Sequence, residues 1–298
     1  MSTLLSIRES GYTVYGAGLK AALVLEALSE ELRPDTVYTY EVAGEDPTTF
    51  KRLCEAAQGQ LHVLRRGEVP PVPRTGLAFT IGWQFRLEEF GSLVVLHDSL
   101  LPKFRGFSPT VSSLIAGETK LGVTAIRPTD ELDAGPIVAQ HSVSITHPIK
   151  VQHAFELLAP CYVNCIRESI RKFGQPAFAG EPQLEDQASY SIWRDHSDLE
   201  IDWRTSADQV ARFVAAVSYP YAGAYTTYGE ERIIIDEVEV IADLPFVNRT
   251  AGKIWQRNSE NIVEVLCGIG MIRITSARRE DGSPFSFPQI RKCLGRGS

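Results

Sequence analysis

The stretch LVVLHDSLLPKFRG, Leu93 to Gly106, decides how the chain is read. Its first four residues are apolar without alternation, as in a strand covered on both faces. Its second half carries Pro102, Lys103, Arg105 and Gly106, which reads as a loop. A histidine at the carboxyl end of such a strand, here His97, stands where open α/β sheets bind ligands. Asp133 follows in LDAG on what reads as the next crossover, placed to orient that histidine. The competing account is a core histidine bonded to a carbonyl and an ordinary turn aspartate.

Outward from this run, strand-like and helical patterns alternate up to about residue 173. Strands are expected at 13–15, 36–42, 61–64, 77–81, 93–97, 122–127 and 137–145. Helices are expected at 19–32, 49–58, 109–116 and 151–173, the last with Phe155, Leu158, Tyr162, Ile166 and Ile170 at helical spacing. Strands joined by crossover helices predict a largely parallel, doubly wound α/β sheet. Residues 174–189, GQPAFAGEPQLEDQAS, read as a surface linker, rich in Gly, Pro and Gln. Beyond it a helix at 207–217 precedes short strands at 224–228, 232–241, 252–255, 262–267 and 271–274, the pattern of a small β-barrel. The domains are therefore expected at 1–175 and 190–298, with 176–189 between them.

The 298 residues are 44% hydrophobic and 22% charged, an ordinary globular balance. No apolar run approaches the roughly 18–20 residues of a membrane-spanning helix. The opening MSTLLSIRESGY lacks a basic region and a long apolar run, so a cytoplasmic protein without a membrane partner is expected. Five scattered cysteines suit a reducing compartment. Cys161 and Cys165, one helical turn apart, are expected to be small core residues, and no metal is expected. A formal charge of −7 argues against broad attraction to nucleic acid.

GAGLKA, Gly16 to Ala21, matches the loose dinucleotide pattern and opens a helix. A tight strand-to-helix turn needs glycine in any case, and the NAD-linked reading ranks below the one built on His97.

HDSLLPKFRGFSP and GETKLGVTAIRPTDELDAGPIVAQ resemble the signature of the folate-dependent formyltransferases. The resemblance extends over IDWRTSADQVARFVAAVSYPYAGAYTTYGEERIII and VLCGIGMIRIT, similar to the second domain of the tRNA and amino-sugar enzymes of that family. It implies a Rossmann-like sheet followed by a small C-terminal OB-like barrel. It also implies transfer of a formyl group from 10-formyltetrahydrofolate, the co-substrate, to a primary amine. On the resemblance His97 and Asp133 are catalytic. Phe85, Arg86, Leu87 and the loop Thr129, Asp130, Glu131, Leu132 and Asp133 would hold the folate. Ser99, Arg105, Gly106 and Phe107 would shape the site or meet the amine.

One position departs from the family pattern. The family's catalytic asparagine stands two residues before the histidine, where this chain has Val95. Losing such a donor costs about 100- to 1000-fold in rate. A displaced donor (Ser99 or Gln84), a slow enzyme, and a folate- or nucleotide-binding module without turnover are the three outcomes. An active enzyme is favoured, because His97, Ser99, Arg105, Gly106 and Asp133 all remain.

The acceptor is read from charge. From Tyr190 to Ser298, 13 lysines and arginines stand against 15 aspartates and glutamates. The stretch 41–50, EVAGEDPTTF, is acidic where the tRNA enzymes of the family carry a basic insertion. GFSP at 106–109 puts aromatic Phe107 beside the site, able to stack on a sugar or base. A nucleotide-linked amino sugar is therefore the expected partner, ahead of methionyl-tRNA. The sequence leaves room for a homodimer.

Overall fold

The computed structural model describes every residue except 1–10, 44, 58, 59, 66, 67, 69, 71–75, 88–91, 259–261, 291 and 296–298. The chain divides into two compact units. The first is built from the described residues of segments 1–110, 120–145 and 153–192, the second from those of 111–119, 146–152 and 193–298.

The first unit is a seven-stranded sheet. Its strands are β1 (Tyr12–Gly16), β2 (Thr36–Thr39), β3 (Gln60–Val63), β4 (Leu77–Ile81), β5 (Leu93–His97), β7 (Lys120–Ile126) and β8 (Ile137–Ser144), with the short β6 (Arg105–Gly106) lying outside it. The order is β3-β2-β1-β4-β5-β7-β8, and the first five run parallel. All five residues of β4 are buried, which is why the central strands read as apolar runs without alternation. Helix α1 (Gly18–Ala27) buries Leu19, Ala21, Ala22, Leu23, Val24 and Leu25. Helix α2 (Pro47–Ala56) starts on Asp46, whose side chain accepts the Thr48 amide at 2.8 Å, with Pro47 in the first turn.

The sheet is mostly parallel, as expected, but its far edge is not. β7 pairs antiparallel with β5, and β8 antiparallel with β7. Only residues 127–136 join β7 to β8, too few for a parallel crossover of a dozen or more. Asp133 therefore sits on a hairpin connection between two neighbouring strands, not on a crossover.

Helices α3 (Pro109–Ala116) and α4 (Val151–Lys172) follow β6 and β8. Cys161 and Cys165 are buried in α4, and the Cys165 thiol donates to the Val123 carbonyl at 3.3 Å. No described helix is long and apolar enough to cross a membrane.

The short β9 (Tyr190–Ser191) closes the first unit, and the second carries helix α5 (Ala207–Ala216) and a five-stranded antiparallel sheet. α5 begins with a reciprocal cap. Ser206 Oγ accepts the Gln209 amide and Gln209 Oε1 accepts the Ser206 amide. The sheet consists of β10 (Ala224–Tyr228), β11 (Glu231–Ile241), β12 (Ile254–Arg257), β13 (Val263–Leu266) and β14 (Met271–Arg279), ordered β10-β11-β14-β13-β12. β14 runs five residues past its expected end, because its polar tail is held by cross-strand ion pairs. Arg278 meets Asp236 at 3.0 Å and Arg279 meets Glu231 at 2.8 Å. Charged residues of this kind read as loop in the sequence.

Candidate active site

His97 ends β5 with its ring buried. Its Nε2 lies 2.9 Å from the Phe104 carbonyl, which can only accept, so Nε2 carries the proton and donates. That leaves Nδ1 facing Asp133 Oδ2 at 3.5 Å. The expected pair is thus brought together, with the hairpin connection supplying the carboxylate.

The loop between β5 and β6 is built to hold this ring. Ser99 is buried and its hydroxyl donates to the Lys103 carbonyl at 2.7 Å. Thr124 Oγ1, from β7, donates to the Ser99 carbonyl and accepts from the Leu101 amide and from Gln140 Nε2. The Leu101–Pro102 peptide is cis, and Phe104 has a φ of 60°. Ser99 therefore shapes the loop. Its one proton is spent on Lys103, so the hydroxyl is not an oxyanion donor in this arrangement.

Gly106 is one position where only glycine serves. Its φ is 103°, and a Cβ there would meet the Ser191 carbonyl oxygen at 2.6 Å. The close approach lets β6 pair parallel with β9, while the Gly106 amide donates to Asp133 Oδ2 at 2.8 Å. Arg105, 2% exposed, is buried and not open to an incoming amine. Its guanidinium reaches Gln183 and Glu185, on the stretch read as a linker. Those two residues were missed in the sequence, where the polar run PQLEDQ at 182–187 carries no periodic signal.

The residues expected to hold the folate line two loops. Phe85 is exposed and packs edge-on against Tyr40 and Trp83 at 5.0 and 5.9 Å. Leu87 packs on the buried cluster of Tyr15, Ala78 and Leu93. Arg86 and Asp130 pair at 3.0 Å and link the two loops, both at the surface. Thr129 Oγ1 donates to the Glu131 carbonyl at 3.2 Å, Glu131 itself is exposed, and Leu132 is 55% exposed. Phe107 is about half exposed, at 48%. Val95 is partly exposed between buried Val94 and Leu96.

GAGLKA plays a different part from the dinucleotide reading. At the start of α1, Glu45 Oε1 accepts the Leu19 amide at 2.9 Å, putting a carboxylate where a phosphate would have to sit. Lys20 pairs with buried Asp98, the residue after His97, at 3.0 Å. The Thr110 hydroxyl in α3 also donates to Asp98. Burial opposes ionisation of Asp98, yet Lys20, His97 and Thr110 outweigh it and hold the carboxyl at about 2. A carboxyl depressed below its unfolded value of about 3.9 stabilises the fold above that pH, and the gain is lost as pH falls toward 2. Its size is about 2 kcal/mol. Urea unfolding of Asp98→Asn should therefore show about that loss at neutral pH and a shallower decline between about pH 4 and pH 2. An acid decline as steep as in the unchanged protein would reject this account.

Two family models match the chain. The formyl transferase model covers residues 85–154, and the formyl transferase C-terminal domain model covers residues 195–292, together more than half of the sequence. The chain belongs to the formyl transferase family. The first match spans the His97 loop and Asp133. HypX from Aquifex aeolicus superposes with a TM-score of 0.61 at 16% identity, over 91% of this chain and 46% of HypX. The chain thus spans about half the length of HypX. The N-formyltransferase from Helicobacter canadensis, solved with folinic acid and dTDP-3-aminofucose, superposes with a TM-score of 0.63 at 14% identity, over 93% of this chain and 100% of that one. For the methionyl-tRNA formyltransferase from Clostridium thermocellum the TM-score is 0.52 at 16% identity, over 87% of this chain and 100% of that one. At these identities the likeness is one of fold.

Proposed function

We propose that this formyl transferase moves a formyl group from 10-formyltetrahydrofolate to the primary amine of a nucleotide-linked amino sugar. The observation that carries the reading is the His97–Asp133 pair at 3.5 Å on a buried strand end. With the proton on Nε2, His97 Nδ1 is the lone pair available to take a proton from an attacking amine. Asp133 then faces an imidazolium, and the attraction favours that proton transfer. The same nitrogen then returns the proton to the folate nitrogen that leaves.

Exposed Phe85 and Leu132 offer flat apolar contact, and the loop around Asp133 offers backbone groups, which together suit a planar heterocycle. When bound, the folate supplies an activated formyl carbon and a nitrogen leaving group. The second unit is read as the OB-like domain of the family, whose fold uses five strands.

Charge supports a small acceptor over tRNA. In the second unit Arg204, Arg232, Arg249, Arg273, Arg278 and Arg279 are each paired with a carboxylate. Neutralised arginines release few counterions on meeting a phosphate backbone. The test is tetrahydrofolate release with 10-formyltetrahydrofolate and two acceptors, a panel of nucleotide-linked amino sugars and charged methionyl-tRNA. Turnover on at least one sugar is expected, and turnover on the tRNA alone would select the tRNA reading. Val95 and the committed Ser99 hydroxyl favour one further reading, a binding module. Folate binding without transfer to any amine would select it.

A further inference from the structure

Asp133 holds a backbone conformation that its side chain disfavours. Its φ is 50°, in the left-handed region that few residues with a Cβ adopt. The Gly106 amide fixes the carboxylate end. The backbone end is held by Gln183, whose Nε2 donates to the carbonyls of Asp133 at 2.7 Å and Gly135 at 2.8 Å.

The direction of that amide is not arbitrary. Gln183 Oε1 accepts from Arg105 Nε at 3.1 Å and from its Nη2 at 3.0 Å. A guanidinium has no acceptor, so it can face only the oxygen, and the NH2 must point at the two carbonyls. Glu185 grips the remaining nitrogen of Arg105 at 2.5 and 2.7 Å. Both ends of Asp133 are therefore referred to one dipeptide. Its carboxylate is tied to the Gly106 backbone, and its carbonyl is tied through Gln183 to the Arg105 side chain.

We infer that Gln183 is a positioning residue that sets the reach of the Asp133 carboxylate toward His97, an inference that rests on the formyl-transfer reading. Displacing a reacting group by about 1 Å can cost on the order of 100-fold in rate. Gln183→Glu is the informative variant. It keeps an oxygen on Arg105 and so keeps that pair. It also turns a second oxygen, which cannot donate, onto two carbonyl oxygens.

With a nucleotide-linked amino sugar as acceptor, Q183E should lower kcat by about 100-fold. KM for folate and for the sugar should stay within about threefold, and the melting temperature should stay near that of the unchanged protein. In the Asp133→Asn background the same change should add less than about twofold, because its target is already lost. Full kcat in Q183E, or an effect that simply multiplies with D133N, would overturn the inference. If the unchanged protein releases no tetrahydrofolate, the formyl-transfer reading fails first. The amide NMR shift of Gly106, which reports the bond to Asp133 without turnover, then decides. It should move in Q183E, and an unmoved resonance would overturn the role of Gln183.

Discussion

His97→Asn is expected to lower kcat for formyl transfer by about 1000-fold, within the range of a positioned acid–base group. Asparagine is smaller than the imidazole, and its amide ends at the level of Nδ1, so the bond from Nε2 to the Phe104 carbonyl is lost with the ring. It offers no lone pair that titrates, so proton removal from the attacking amine falls to water. KM should change little, since His97 is 6% exposed and its Nε2 is already committed to the protein. Initial rates at saturating folate and acceptor measure this. Retention of more than a tenth of the activity would remove His97 from the chemistry.

The second large effect runs the other way, as Val95→Asn is expected to raise kcat by about 100-fold. Successive side chains of a strand alternate between faces, so residues 95 and 97 share one face of β5. An amide at 95 would stand beside the imidazole, where charge develops on the formyl oxygen. Valine leaves that oxygen without a donor from this position. Ser99 does not fill the gap, because its proton goes to Lys103. The new amide would also replace apolar packing between Thr80 of β4 and Ile126 of β7, lowering stability by about 1 kcal/mol. A rise in kcat at unchanged KM identifies a missing transition-state contact. An unchanged or lower kcat would show that another group, such as the exposed amide of Gln84, already serves the oxyanion.

Both variants act on residues that were legible in the sequence, and the reason is local. β4 and β5 are apolar but for Thr80 and the terminal His97, because both faces are largely covered, so their bounds at Leu77–Ile81 and Leu93–His97 are written in composition. The partner of His97 was also legible, but not the route by which it arrives. Parallel and antiparallel neighbours look alike in apolar content. Only the shortness of 127–136 distinguishes the β7–β8 hairpin from a crossover. The support of the site was illegible for another reason. Gln183, Glu185 and Ser189 act through contacts 50 to 85 residues away in sequence, and no periodicity records such a contact. Lys20 shows the same effect in reverse. A glycine-rich turn drew attention to phosphate, while its lysine serves a buried aspartate 78 residues on.

The return of the chain between Gly174 and Ile192 bears on where this protein can be cut. Composition alone would place an excision point after residue 175, where the Gly- and Pro-rich stretch read as a linker begins. A fragment ending there would lose β9, and with it the partner that β6 pairs with along Gly106. It would also leave the guanidinium of Arg105, 2% exposed, without Gln183 and Glu185. A fragment that keeps these contacts must therefore run through Ser191, since Gln183, Glu185, Ser189 and β9 all bond the segment Phe104 to Gly106 or the Asp133 loop.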